Sequence, residues 1–448
     1  MAENKQINKS LDLALRVGEV LLSSGAGAAD VNATMWSVVH AAGLRDVDVD
    51  VTFTALTLTY RPAYDEPPVL QVRNVRHREI DYEDLTLVDL LVRDLVAAEI
   101  DVDEARSRLA RIVSSGHRLP RWAATLGYGT MGAGVGMLLG GNLLVIGIAF
   151  VAAVAVDLLQ RAMSRRRLPG FYQQVAGGLL ATMFAIAAAV ADLGADPSMV
   201  VTASIFMLLA GIGFMGAVQD ALTGFPLTAG ARILEATLAT AGIIAGVSGG
   251  LSIARLLEVD LGRLNPGAGG LAEAGVIAAG SAIAAAAFAF ASYAPLRSLL
   301  PIAVIAAAAS AVFTGVEAQD LGRAWAAATA AVMIGVVSYA VAGRIRVPPL
   351  VVVVPAIVPL LPGLSIYRGL TLLATGGNGI LSLMNAVAIA IALAAGVLLG
   401  ELVAQPLKRE ARRLENRLAG PRLVGPLRAR AVNTRTRVRG RSGDRAAG

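Results

Sequence analysis

Five ionisable residues sit in or against long apolar runs of this sequence: Asp157, Asp220, Arg232, Glu235 and Glu401. A charge in hydrocarbon is costly, and such residues usually face a bundle interior, pair with one another, or mark an ion or substrate path. Asp157 and Glu401 fall near the ends of their runs, where a side chain can reach water. Arg232 and Glu235 are three apart, a spacing that allows pairing on one helix face. Asp220 is different. It follows "LLAGIGFMGAVQ", in which Gly211, Gly213 and Gly216 come close together and Gln219 adds a polar neighbour. Weakened helix beside a carboxylate leaves backbone groups and a charge for a polar ligand or a proton. Asp220 is therefore the first candidate for chemistry.

Other chemistries find less support. The three histidines, His40, His77 and His117, all precede the first long apolar run, which excludes a Ser–His hydrolase inside the membrane. Ser23, Ser24, Asp30 and His40 lie near one another in sequence without a recognised catalytic spacing, and a helix terminus and a surface histidine account for them. "GYGTMG" (Gly127 to Gly132) matches a dinucleotide fingerprint in letters only, because it follows no strand and lies in an apolar run. Gly132, Gly136 and Gly140 instead suit close helix packing. Asp46, Asp48 and Asp50 lack the glycine and glutamate of a calcium loop, and alternation puts them on one solvated strand face. No Walker A lysine motif is present, which argues against ATP-driven transport. No metal or cofactor is expected, and with no cysteine the chain makes no disulfides.

The elements that must hold Asp220 are set by an uneven composition. The chain is 56% hydrophobic and 16% charged, with mean hydropathy +0.64. Residues 1–121 are charged and mixed, 122–403 are mostly Ala, Val, Leu, Ile and Gly, and 404–448 are Arg-rich. The pattern predicts a mainly α polytopic membrane protein preceded by a small soluble α+β domain and followed by a basic, disordered tail. Such a tail beside a last membrane helix reads as a polybasic flank rather than a nucleic-acid arm. A span needs about 20 apolar residues. Ten are read, at 123–140, 142–159, 174–191, 198–218, 228–250, 272–292, 298–315, 324–342, 348–365 and 380–402. Arg161, Arg165, Arg166, Arg167, Arg232, Arg297, Arg344 and Arg346 crowd one set of connections, so both termini are placed on the cytoplasmic side of the cell membrane.

A second string, "LLPGLSIYRGLTLLATG" (Leu360 to Gly376), repeats the Leu-Leu, the glycine and the closing Thr-Gly of "LLAGIGFMGAVQDALTG" (Leu208 to Gly224), 152 residues on. The first lies in the fourth span and the second in the ninth, so each half, 122–260 and 261–403, holds five spans. An odd number inverts the second copy, and inverted repeats meeting at broken helices are a transporter architecture. Pro355, Pro359 and Pro362 break the ninth span by removing backbone donors.

In the soluble domain, "LDLALRVGEVLLSSG" and "AADVNATMWSVVHAAG" read as helices stopped by Gly25 and Gly43. "VDVDVTFTALTLTY" reads as one strand, with "PPVLQVRNV" as its partner. Two helices follow, the second capped by Asp101 with Glu104 at the reciprocal position.

These residues together resemble the threonine/serine exporter family in its fused actinobacterial form. "LALRVGEVLLSSG", "LLAGIGFMGAVQDALTGFPLTAGARILEATLATAGIIAGV", "VPPLVVVVPAIVPLLPGLSIYRGL" and "AAGVLLGE" carry the resemblance. One departure is Ala210-Gly211, where many relatives have Pro-Gly. The resemblance implies a non-enzymatic exporter of L-threonine and L-serine driven by the proton motive force. Split-chain relatives are associated with dicarboxylates such as succinate, so a dicarboxylate exporter stays open, as does a membrane-anchored hydrolase or sensor working through the N-terminal domain. For a zwitterionic hydroxy amino acid, a carboxylate suits a half-helix N-terminus or Arg232, and an ammonium suits Asp220 or Glu235. The hydroxyl suits Thr223, Ser365 or Asn385. Gly211, Gln219, Gly363, Tyr367 and Arg368, in the two strings, complete the candidate set. Protons and the lipid bilayer are the remaining partners, nucleic acid is not one, and a homo-oligomer is left open.

Overall fold

The structure is a computed structural model that describes residues 2–62, 66–76, 78–192, 194–208, 211–259, 273–362, 365, 368, 369, 372 and 377–418. The chain divides into two compact units, 1–405 and 406–448.

The first unit opens with α1 (Ala2–Ser23) and α2 (Ala28–Ala41), which end before left-handed glycines at Gly25 (φ +98°) and Gly43 (φ +87°). Three strands follow, β1 (Val47–Val51), β2 (Ala55–Tyr60) and β3 (Val69–Asn74), in an antiparallel sheet of order β1-β2-β3. The single strand expected over "VDVDVTFTALTLTY" is thus two. Val51 pairs with Leu56, and Thr52 N–H donates to Ala55 O at 2.9 Å across a tight turn. Period-2 alternation cannot tell one long strand from a hairpin whose loop preserves the alternation. Leu56 and Leu58 point inward onto α1 and α2, whose Leu11, Leu22 and Met35 are fully buried. Asp48 and Asp50 face solvent as expected.

Helices α3 (Tyr82–Val96) and α4 (Val102–Ser115) close the domain. Asp81 caps α3 by accepting from Glu83 N–H and Asp84 N–H, and Asp101 caps α4 by accepting from Glu104 N–H at 2.7 Å. Glu104 does not complete a capping box. Its carboxylate turns outward to Arg108, one turn on, at 2.7 Å.

A run of helices follows: α5 (Arg121–Leu138), α6 (Leu143–Arg165), α7 (Gly170–Val190), α8 (Pro197–Ile205), α9 (Gly211–Leu222), α10 (Pro226–Leu256), α11 (Ala274–Ala291), α12 (Leu296–Glu317), α13 (Arg323–Ile345), α14 (Leu350–Ile357) and α15 (Ile380–Leu418). Seven of these are long and apolar enough to cross a membrane: α6, α7, α10, α11, α12, α13 and α15 over Ile380–Ala404. Of the other regions expected to span, α5 is glycine-rich, and the remaining two are cut short by interruptions. One passes from α8 through a 3-10 turn at Phe206–Leu208 to α9. The other passes from α14, with Pro355 inside it, through a 3-10 turn at Val358–Leu360 to extended backbone at Leu361.

Glycines set the closest helix contacts, since a missing Cβ lets backbones approach. A Cβ on Gly134 of α5 would lie 2.7 Å from Ala284 N of α11, and one on Gly132 would lie 2.8 Å from Ala149 O of α6. "GYGTMG" is therefore a packing surface. Gly140, expected with it, instead makes the turn into α6 at φ +78°.

Candidate functional site at the domain junction

Asp220 lies near the end of α9 and is 1% exposed. Gly224, at φ +94°, turns the chain so that α10 packs beside α9. Arg232 of α10 then reaches back, and its Nη1 lies 3.1 Å from Asp220 Oδ2. Gly216, one turn before Asp220, makes room for the guanidinium: a Cβ there would sit 2.8 Å from Arg232 Nη1. The ion pair of Arg232 is thus with Asp220 across two helices, rather than with Glu235 on its own helix. Glu235 is exposed.

The other partner of Asp220 comes from the N-terminal α/β segment. α2 begins without a side-chain cap of its own, because its cap position is Gly27. Asp220 supplies the cap. Its Oδ1 accepts from Ala28 N–H at 2.9 Å, across 192 residues of sequence. A carboxylate at a helix N-terminus meets unpaired donors and the positive end of the helix dipole. Arg232 Nη2 donates to Ala26 O at 3.2 Å, so both charges hold the α1–α2 turn.

Around this pair the structure gathers more charge. Asp30, in the first turn of α2, keeps part of its surface open to solvent but has Asp220 near it. Burial and then repulsion by Asp220 push its carboxyl above the usual range. Arg78 lies with its guanidinium 3.8 Å over the Phe53 ring and donates to Phe53 O. Burial and the nearby Arg232 pull it down to about 10, against the opposing pull of Glu235 and Asp220. Glu401 of α15 repels Asp30. Four carboxylates and two guanidiniums therefore share the junction, and the excess of acid favours holding a proton or a cation there.

The two interruptions also meet. A Cβ on Gly211, the first residue of α9, would lie 3.0 Å from Leu361 Cβ, just after the second 3-10 turn. Of the other candidates, Gln219 and Thr223 lie on either side of Asp220 at the end of α9. Thr223 spends its hydroxyl proton on the carbonyls of Gln219 and Asp220, at 2.9 and 3.2 Å. Gln219, Ser365 and Arg368 are half-buried and Asn385 is exposed on α15. Gly363 and Tyr367 lie outside the described residues. Asp157 is buried against Arg161 one turn on, at 3.1 Å, which accounts for it as a structural pair.

No catalytic constellation forms from the soluble-domain candidates. Asp30 and His40 are ten residues apart on α2, roughly 15 Å along its axis. His40 stacks on Trp36 and Ser23 Oγ donates to Val20 O. His117 pairs with Asp81 and stacks on Tyr293, while Tyr82 N–H donates to Ser292 O at 2.9 Å. This makes a second contact of the N-terminal α/β segment, on the α11–α12 turn. Asp30, Arg78 and the 26–28 backbone were not foreseen as parts of the junction. One signal was available: "SGAGA" starts a helix with no capping side chain, which calls for a cap from elsewhere.

A family model for threonine/serine exporters matches residues 12–254, and a second threonine/serine exporter model matches 277–403. A Mycobacterium tuberculosis protein named "Probable threonine/serine exporter" is 37% identical over 426 residues, covering 92% of this chain and 80% of its own. A Corynebacterium glutamicum protein named "Threonine/serine exporter" is 35% identical over 422 residues, covering 92% of this chain and 86% of its own. No solved structure matches the chain.

Proposed function

This chain belongs to the threonine/serine exporter family, and on that premise we propose that it carries threonine and serine out of the cell by secondary active transport driven by the proton motive force. It is a multi-pass membrane transporter rather than an enzyme. Our reading has ten crossings in two inverted halves, 122–260 and 261–403, behind a cytoplasmic domain, 1–121, with the tail, 404–448, also cytoplasmic.

Several contacts support the two-half reading. Five helical segments precede the 260–272 stretch and five follow it, counting each interrupted segment once. In each half the third and fifth segments pack glycine against backbone. Gly242 of α10 faces Phe171 O of α7, and Gly396 of α15 faces Ala328 O of α13, both at 2.7 Å from a notional Cβ. Connections assigned to one side of the membrane touch: Asn142 donates to Gly194 O, and Arg297 donates to Arg346 O.

The observation that carries the mechanism is the buried Asp220–Arg232 pair beside the α2 N-terminus. An amino acid is a zwitterion, so its ammonium can take Asp220 and its carboxylate Arg232, exchanging one internal ion pair for two external ones. Asp220 then has two uses: it holds the ammonium, and it carries the coupling proton when the substrate has left. One charge crossing 100 mV is worth about 2.3 kcal/mol, over tenfold in gradient, so a single proton suffices for uphill export.

Purified protein in liposomes tests this. Asp220→Asn keeps the shape and removes the charge. Threonine affinity should fall by the equivalent of roughly 2–5 kcal/mol for loss of one partner of a buried pair. Residual exchange should survive while pH-driven uphill transport disappears. Wild-type uphill export by the variant would remove Asp220 from the mechanism, and absence of any threonine flux in the wild type would overturn the function.

A further inference from the structure

Away from the junction, α5 and α6 leave a groove of about 460 Å³ at the end of the helices nearest the soluble domain. Its walls are apolar and outward-facing: Trp122, Leu126 and Leu158 are 65%, 44% and 55% exposed. Its rim is cationic. Arg165 closes the last turn of α6, is exposed, and makes no ion pair among the described residues. Arg161, one turn earlier, gives its Nε to Asp157 and its Nη1 to Arg121 O at 3.0 Å, which leaves one guanidinium edge toward the groove. The Thr125 hydroxyl is bonded to Arg121 O and lies at the floor.

This combination fits one occupant. Leucines exposed on a membrane helix face acyl chains, and an exposed tryptophan at a helix end sits at the headgroup level. Basic pockets between membrane helices suit anionic headgroups. The buried Asp157 carboxylate is neutralised by Arg161 and so does not oppose a phosphate. We infer that the α5–α6 groove is a site for an anionic diacyl phospholipid of the leaflet on the soluble-domain side. The phosphate lies on Arg165 and the free edge of Arg161, and one chain lies along Leu126 and Leu158. A choline or ethanolamine headgroup brings its own cation against these arginines and is disfavoured.

Trp122 reports on the site directly. With Trp36→Phe and Trp325→Phe, it is the single tryptophan of the full chain, which can be reconstituted in vesicles containing phosphatidylglycerol or phosphatidylcholine brominated on the acyl chains. Brominated phosphatidylglycerol should quench Trp122 at lower mole fraction than the brominated choline lipid. In Arg165→Gln the apparent affinity for the anionic lipid should fall about fivefold, bringing the two curves together. Equal quenching by both lipids in the parent overturns the site, and so does an anionic preference that survives Arg165→Gln. Inorganic phosphate added to the same vesicles should not relieve the quenching. If it does, the groove binds a free anion and not a lipid. Arg165 is exposed at a helix end, and circular dichroism of the variant confirms its fold. Equal quenching in the parent would overturn the site whatever the variant does.

Discussion

Gly216 lies under the guanidinium of Arg232, and a Cβ at that position would stand 2.8 Å from Nη1. The pair with Asp220 therefore depends on a hydrogen atom in place of a side chain. Gly216→Ala should push Arg232 off Asp220, with an overpacking cost of about 1–3 kcal/mol. Gly213→Ala, where the nearest atom is Ala236 Cβ at 3.9 Å, should be tolerated. Thermal unfolding and threonine flux of the two variants, side by side, check this. Equal behaviour would mean that the guanidinium does not need its present seat.

The cap that Asp220 provides should be visible in exchange kinetics. Loss of an N-cap costs about 0.5–2 kcal/mol. In Asp220→Ala, amides in the first turn of α2 should exchange faster by hydrogen–deuterium mass spectrometry. The first turn of α3, capped by Asp81 from within its own domain, should be unchanged. Unaltered protection of residues 28–31 would show that the start of α2 holds itself closed without Asp220.

Asp84, in the first turn of α3, is half-buried, and burial followed by repulsion from Asp81 raises its carboxyl to about 6. The folded state then binds a proton more tightly than the unfolded state. Its effect on stability is favourable at low pH and is lost as pH rises through about 6. Asp84→Asn should raise the unfolding temperature at pH 8 and leave it nearly unchanged at pH 4. A wild-type-like pH profile in the variant would assign the slope to other groups.

Sidedness can be read in a chain that has no cysteine of its own. Gln319→Cys, in the exposed α12–α13 turn, should react with a membrane-impermeant maleimide on intact cells. Arg166→Cys, exposed after α6, should react only after permeabilisation. The reverse pattern would overturn the orientation, and labelling of both positions from the same side would overturn the inverted repeat, because five crossings separate them.

The two broken strings were legible because glycine and proline weaken a helix locally: Gly211 opens α9 after the first interruption, and Pro355 lacks a backbone donor just before the 3-10 turn at Val358–Leu360. The outward faces of Asp48 and Asp50 were legible for the same reason, since alternation alone decides them. Partners distant in sequence were not. Arg232 has an acid three residues on and another twelve residues back, and only the α9–α10 turn makes Asp220 the nearer. Asp30 reads as an ordinary first-turn acid until Asp220 and Glu401 are brought against it. Gly140 matched a packing period and instead served a turn, because a four-residue spacing says nothing about where a helix stops.

The cap of α2 also sets an order in time. Ala28 waits for a residue synthesised 192 positions later. At about 5–20 residues per second, that is on the order of 10–40 s during which the nascent helix start has no carboxylate to meet it. α9 must emerge and be seated before the first domain can finish folding against it. Nascent chains stalled before Asp220 should therefore offer the α1–α2 turn to proteases and chaperones, whereas chains released past Arg232 should have it sealed.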